Sequence, residues 1–221
     1  MDTFFERITF YDLYGYTIPG AFLILMLSTA YLPEILKILT QFQNLVFFAF
    51  VVVILLSFVT GILISEIAHR IFYTILNKYT LRFSHLEMNK LKLPESLAVN
   101  ALKHLGVYVT DACKISEEIQ KNLFYIYGEI QVDSKYKRIH NYASCEVLYR
   151  NMAMSLCVLE IFVIFARNME THYKIWISLL FIIGAILMAI RAYRFMIKKE
   201  LYAVYWFIEK YGTTTVKKSS H

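Results

Sequence analysis

The feature that most constrains this chain is an uncharged apolar run from Leu45 to Ser65 (LVFFAFVVVILLSFVTGILIS). A helix needs about 20 predominantly apolar residues to cross the hydrocarbon core of a bilayer, and this run has that length. Composition agrees, because 58% of the residues are hydrophobic and 18% are charged, against roughly 45–50% and about 25% in soluble domains. We therefore expect an integral membrane protein.

Three further apolar runs are candidates for spans: Leu13 to Tyr31, Asn151 to Ala166, and Tyr173 to Ile190. The acidic start of the chain (MDTFFERITFYD) does not fit a signal peptide, which begins with positive charge. Its aromatic residues instead indicate an interfacial helix that leads into the first span. The sequence therefore predicts four transmembrane helices.

Charge predicts the orientation, because basic residues stay on the cytoplasmic side of a membrane. With four spans, 20 of the 23 Lys and Arg residues lie on one side, leaving only Lys37, Arg167 and Lys174 in the opposite loops. We expect a multi-pass membrane protein with both termini and the central segment in the cytoplasm.

The central segment is predicted to be helical throughout. Pro94 is expected to open a helix that Gly106 closes, and Thr110 or Asp111 is expected to cap the next one. That second helix should place one apolar face inward, formed by Ile115, Ile119, Leu123, Phe124 and Tyr127. We also expect the second span to continue past the membrane and the segment after the fourth span to form an amphipathic helix.

Together these patterns predict an all-α polytopic membrane protein in four parts. They are 1–67 (interfacial helix and first two spans), 68–150 (helical cytoplasmic domain), 151–190 (last two spans) and 191–221 (amphipathic C-terminal helix and tail).

Sequence motifs of catalysis and cofactor binding are not found in this chain. It has no Gly-rich phosphate loop, no HExxH, no GxSxG and no zinc-ligand spacing. Cys113, Cys145 and Cys157 show no CxxC or disulfide pattern and are interpreted as small buried hydrophobic residues. We expect no enzyme activity, no metal and no cofactor.

Glu160 is the acidic residue inside the third predicted span. An acidic group near the middle of a membrane costs about 2.5–3.5 kcal/mol on insertion scales and generally faces a bundle interior or a water-filled path. One interpretation is a pore-lining or gating carboxylate, with Ser57 and Thr60 of the second span as further pore or gating candidates. The alternative is a protonated or hydrogen-bonded carboxyl that fixes helix packing, for example against Ser57 or Thr60 of the second span.

Small residues recur every four positions along the second span, at Ser57, Gly61 and Ser65. Such spacing permits close approach of helices. The sequence leaves open whether the approaching helix belongs to the same subunit or to another copy.

Two basic clusters flank the predicted spans. Either cluster could contact anionic lipid headgroups, and contact with nucleic acid or a nucleoprotein partner is the alternative. The first consists of Lys135, Lys137 and Arg138, and the second of Arg191, Arg194, Lys198 and Lys199.

The segment from Arg167 to His172 (RNMETH) resembles the R-N-x-x-x-H motif of HEPN ribonucleases. The resemblance implies that Arg167, Asn168 and His172 would act on RNA at a dimer interface. The predicted topology argues against this, because the segment lies in the loop facing away from the cytoplasm.

Two longer stretches resemble small membrane proteins encoded in bacterial antiphage defence loci. They are ITFYDLYGYTIPGAFLIL (Ile8 to Leu25) and IHNYASCEVLYRNMAMSL (Ile139 to Leu156). The proteins they are similar to include the accessory membrane proteins beside type VI-B CRISPR effectors and the optional membrane component of the RADAR system. The resemblance implies an accessory or effector protein that modulates a cytoplasmic nucleic-acid-targeting complex, with pore formation as one way of acting.

Three functional hypotheses follow from the sequence. The first is an oligomeric membrane protein of antiviral defence with Glu160 in a permeation path. The second is a regulatory anchor that binds a soluble effector through its cytoplasmic domain, without conductance. The third is a membrane-tethered HEPN ribonuclease. A transporter fits less well, because four spans without internal repeats are few for alternating access.

Overall fold

The computed structural model describes residues 13–29, 46–78, 86, 94–109, 111, 114–131, 136–165 and 170–218. It confirms the all-α prediction, since no described residue lies in a strand. A π-helical turn at Leu13–Thr17 leads into the first of seven α-helices in this part of the chain. They are α1 (Ile18–Thr29), α2 (Val46–Lys78), α3 (Glu95–His104), α4 (Ile115–Lys121), α5 (Leu123–Ile130), α6 (Tyr136–Phe165) and α7 (Thr171–Lys218).

Three helical segments in the described ranges are long and apolar enough to cross a membrane: Phe50–Lys78, Lys137–Phe165 and Thr171–Thr213. The predicted count of four is therefore corrected to three. The apolar helix in the first predicted span covers only Tyr14–Ser28, about 22 Å at 1.5 Å per residue, against about 30 Å of hydrocarbon.

The chain divides into two compact units. The first unit contains residues 1–72 and 143–195, and the second contains residues 73–142 and 196–221. Helices α2, α6 and α7 each contribute residues to both units. The C-terminal part, predicted as a separate segment from residue 191, thus joins the central helices in one unit from residue 196.

The first unit has a small apolar core and an extensive apolar surface. Its core is formed by Leu23, Ile64 and Leu159. Large apolar side chains on α2, α6 and α7 are exposed, among them Phe50, Phe162 and Leu180. An apolar surface of this extent is favourable only where lipid or another apolar partner covers it, as expected for helices that cross a bilayer.

Helices α1 and α2 approach so closely that their contact excludes side chains. A Cβ atom on Gly20 would lie 1.9 Å from the backbone oxygen of Ser57, and one on Gly61 would lie 1.9 Å from the backbone oxygen of Tyr16. Glycine at both positions lets the two backbones touch. This close crossing of α1 and α2 fixes the position of α1 in the first unit.

The second unit has a conventional apolar core. It is formed by α3, α4, α5, the start of α6 and the end of α7, with Ala98, Ile115, Ile126, Ile139 and Phe207 among its buried residues. The His104 ring stacks on the Tyr211 ring at 3.8 Å, and the Tyr211 hydroxyl donates a hydrogen bond of 2.9 Å to the Glu129 carboxylate. These contacts join α3, α5 and α7.

Gly106 ends the first helix of the central segment as predicted. Its φ is +76°, a conformation that favours glycine. The amide of Gly106 donates to the Lys103 carbonyl and the amide of Val107 to the Leu102 carbonyl, which is the Schellman arrangement of a helix C-terminus.

The prediction of one continuous apolar helix after Asp111 is wrong in part. The helix is interrupted at Asn122, whose side-chain amide donates to the Glu118 carbonyl at 2.9 Å. The interruption separates α4 from α5, but Ile115, Ile119, Ile126 and Ile130 are buried along one face, and at 3.6 residues per turn Phe124 lies on the opposite face. Phe124, expected in the core, is 83% exposed, whereas Ile126 and Ile130 are buried.

Candidate functional site

An open groove in the second unit is a candidate binding surface in the described part of the chain. Its cavity volume is about 640 Å³, within the roughly 300–1,000 Å³ typical of ligand sites. The start of α6 forms one wall and the last part of α7 forms the other. The groove is lined by Lys137, Arg138, Ile139, Asn141, Tyr202, Tyr205, Trp206 and Glu209.

Tyr202, Tyr205 and Trp206 form an aromatic wall of this groove. Arg138 packs against the Tyr202 ring of that wall. Its guanidinium carbon lies 4.7 Å from the centroid of the Tyr202 ring and 6.0 Å from that of Tyr142. Its Nε donates a hydrogen bond of 3.2 Å to the Tyr142 hydroxyl. These contacts are with uncharged groups, so they orient the guanidinium without neutralising its charge.

The groove carries charges of both signs, with Lys137 and Arg138 on α6 and Glu209 on α7. Lys137 and Arg138 are exposed, and neither forms an ion pair with any carboxylate in the described ranges. Glu209 follows Tyr202 by two helical turns, about 10 Å along the axis of α7.

Of the remaining predicted basic residues, Lys135 lies outside the described residues. Arg191 in the first unit donates a hydrogen bond of 3.2 Å to the Tyr149 hydroxyl, and its guanidinium carbon lies 5.4 Å from the Tyr149 ring centroid. Arg194 is exposed on the same helix. Lys198 is exposed and Lys199 half-buried on the part of α7 that belongs to the second unit.

The first unit contains polar contacts that sequence reasoning missed. Asn151 is 0% exposed, and its amide nitrogen donates a hydrogen bond of 2.8 Å to the Gly15 carbonyl. In a regular α-helix the amide of residue 19 would bond to that carbonyl, but Pro19 has no N–H. The Ser155 hydroxyl lies 3.3 Å from the Pro19 carbonyl. Helix α6 thus provides hydrogen-bond donors for two backbone carbonyls near the proline, those of Gly15 and Pro19.

A buried ion pair also lies on α6. Nη1 of Arg150 is 3.0 Å from Oε1 of Glu146, and the two residues are 6% and 2% exposed. The four-residue spacing of Glu and Arg within a predicted helix is a sequence signal for such a pair. Its burial depends on tertiary packing and could not be inferred from spacing.

Glu160 is half-buried on α6. Its Oε2 atom is buried and has no hydrogen-bond partner among the described residues. The Ser57 hydroxyl instead donates to the Val53 carbonyl at 2.7 Å. No hydrogen bond joins Glu160 to Ser57 or to the half-buried Thr60 in the described part of the chain.

The small-residue face of α2 is covered within the chain itself. Ser57, Gly61 and Ser65 are all buried, and α1 crosses directly over Gly61. A path for ions along Ser57 would require α1 to move. This geometry favours the packing interpretation of these three residues over oligomerisation through this face.

Of the HEPN-like segment, the structure describes His172 but not the two residues at its start. Arg167 and Asn168 lie outside the described residues. His172 is exposed near the start of α7, and its ring makes edge contacts with Tyr173 and Trp176.

Cys145 and Cys157 are free thiols, and Cys157 is exposed rather than buried, while Cys113 lies outside the described ranges. Where the structure describes the chain, no group of three or more His, Cys, Asp or Glu side chains could hold a metal ion.

Comparison with known protein families, characterised proteins and solved structures finds no match.

Proposed function

We propose that this protein is a non-enzymatic membrane anchor that binds a soluble, negatively charged partner through the groove of its second unit. The observation that carries the proposal is the pairing of Lys137 and Arg138 with the aromatic wall of Tyr202, Tyr205 and Trp206. Exposed cations beside aromatic faces are a recurring arrangement for recognition of anionic partners. The apolar surface of the first unit supports the anchoring part.

We further propose that the anchor is an accessory or effector component of a bacterial antiviral defence system in the inner membrane. The resemblance of its two stretches to membrane proteins of defence loci supports this setting. The partner would then be a cytoplasmic nucleic-acid-targeting complex. The central helices and the end of α7 pack in one unit, which supports placing both on the same, cytoplasmic side.

Phage challenge of bacteria tests this proposal. The chain is expressed together with its neighbouring genes, and the efficiency of plating is measured for wild type, K137Q and R138Q. K103Q is the matched control, because Lys103 is an exposed cation of the second unit outside the groove. Immunoblots of the membrane fraction establish equal abundance of all variants.

We expect K137Q and R138Q to lose most of the protection and K103Q to keep it. Loss of the cation removes an uncompensated positive charge that the partner would otherwise meet. Protection that both groove variants retain in full would rule out the groove as the partner site.

A second candidate function, an ion-conducting pore in an oligomer, has one observation in its favour. Oε2 of Glu160 is buried within a helix long enough to span the membrane and lacks a hydrogen-bond donor in the described part of the chain. Such a carboxyl generally faces a functional path or a second polar partner.

Membrane potential distinguishes the pore from the anchor. A potential-sensitive dye is followed in infected bacteria that express wild type or E160Q. A pore predicts depolarisation that depends on infection and that E160Q changes. The anchor predicts an unchanged potential in protected cells.

A further inference from the structure

We propose that the groove between the start of α6 and the end of α7 binds a nucleotide unit, with its phosphate at Lys137 and Arg138 and its base stacked on the aromatic wall. The unit would be a free nucleotide or one unit of a single-stranded oligonucleotide. This inference rests on the proposed function, because it names the chemistry that the same groove recognises.

The cationic end supplies the phosphate contact. The ring contacts and the bond from Nε to the Tyr142 hydroxyl fix the plane of the Arg138 guanidinium, and its terminal nitrogens make no hydrogen bond or ion pair with the described residues, so they can face a ligand. Lys137 adds a second positive charge one residue away. A planar, pre-oriented guanidinium is well suited to bidentate contact with phosphate oxygens.

The aromatic wall supplies the base contact. Tyr202, Tyr205 and Trp206 lie on one face of α7 and line the same cavity. Stacking on such side chains is worth about 1–3 kcal/mol per base and tolerates any base, because every base has a π-face. A lipid headgroup offers a phosphate but no ring to occupy this wall.

Glu209, which lines the same groove, adds a preference among bases. A carboxylate accepts hydrogen bonds from the exocyclic amino group of a base such as cytosine. Cytidine and adenosine nucleotides should therefore bind better than uridine nucleotides.

The test uses the full-length protein in nanodiscs of neutral lipid. Binding of a short fluorescein-labelled oligocytidine RNA is measured by anisotropy, with CMP, UMP, inorganic phosphate and phosphatidylglycerol vesicles as separate competitors. The variants are R138Q, Y202L and E209Q, with K103Q as the matched control and Y202F as a conservative variant that keeps the ring.

We expect R138Q and Y202L each to weaken RNA binding by about tenfold or more. K103Q and Y202F should stay within about twofold of wild type. CMP should compete better than UMP, and E209Q should reduce that difference. Competition by CMP identifies a free nucleotide as sufficient, whereas competition by longer RNA alone identifies an oligonucleotide.

Three outcomes overturn the inference. They are the absence of RNA and nucleotide binding, binding that R138Q and Y202L leave unchanged, and displacement by phosphatidylglycerol vesicles but not by CMP or unlabelled RNA.

If nucleotides do not bind but phage protection still depends on Arg138, the ligand chemistry is wrong and the anchor function stands. If they bind but protection does not depend on Arg138, the anchor function is wrong and the nucleotide site stands.

Discussion

At the scale of single residues, Asn151 connects two helical segments through a hydrogen bond to a backbone carbonyl that lacks its usual donor. Pro19 leaves the Gly15 carbonyl without its usual donor in α1, and the Asn151 amide donates to it from α6. A buried carbonyl without a hydrogen bond costs about 1–3 kcal/mol. The side chain therefore stabilises the first unit through one contact that leucine, although similar in size, cannot replace.

We expect N151L to lower the free energy of unfolding by about 1–3 kcal/mol. Unfolding is followed by fluorescence in detergent micelles. The chain has two tryptophans, Trp176 in the first unit and Trp206 in the second, so a W206F background reports the first unit alone. C157L, at an exposed residue of the same helix and the same unit, is the control and should change the value by less than about 0.5 kcal/mol. Equal effects of both variants would contradict the assigned role.

Among helices, the crossing of α1 and α2 sets the tightest steric limit. The atoms that a new Cβ would meet at Gly20 and Gly61 belong to the backbone. A flexible side chain could rotate away from such a contact, but a helix backbone cannot. Any substitution there must separate the two helices.

A graded series of alanine substitutions tests this limit. We expect G61A to cost at least about 1–3 kcal/mol. G184A should cost less, because its Cβ would lie 3.1 Å from a flexible Leu156 methyl group. G128A in α5 meets nothing within 4 Å and should stabilise the chain by roughly 0.5–1 kcal/mol. The order of thermal unfolding midpoints in micelles is the measurement, and a G61A midpoint at or above that of G184A would refute the argument.

The secondary-structure elements could be predicted from the sequence better than the packing contacts between them. The run from Leu45 to Ser65 and the Pro94–Gly106 signals reflect local propensities, which a single sequence displays directly. The exposed position of Phe124 was missed, because the predicted apolar face included a residue that lies opposite Ile115 and Ile119 at 3.6 residues per turn. The groove was missed as a site, because residues 137–141 and 202–209 are brought together only by the fold.

At the scale of the whole molecule, the second unit predicts a topology. Residues on α4 and near the end of α7 belong to one unit, so they must lie on the same side of the membrane. The segment between α6 and α7 connects two helices that are each long enough to span the bilayer. It should therefore face the opposite side.

Cysteine labelling measures this topology. Single cysteines replace Lys121, Thr213 or Glu170, all exposed, in a chain with the three native cysteines changed to serine. A membrane-impermeant maleimide added to spheroplasts should label E170C alone, and K121C and T213C should react only after lysis. Opposite behaviour of K121C and T213C would contradict their shared unit, and labelling of both in spheroplasts would reverse the orientation.

The composition of the second core has a consequence for the order of synthesis. Ala203, Val204, Phe207 and Ile208 complete a core whose other members come from residues 86–139. On the ribosome, the central helices emerge long before these four residues do. The apolar faces of the central helices therefore lack these packing partners until α6 and α7 have entered the membrane. Until then they are shielded by chaperones or by one another. A chain stalled before α7 would expose Ile115, Ile119 and Ile126 and become a target for proteolytic quality control. Closure of this core therefore requires the last part of α7.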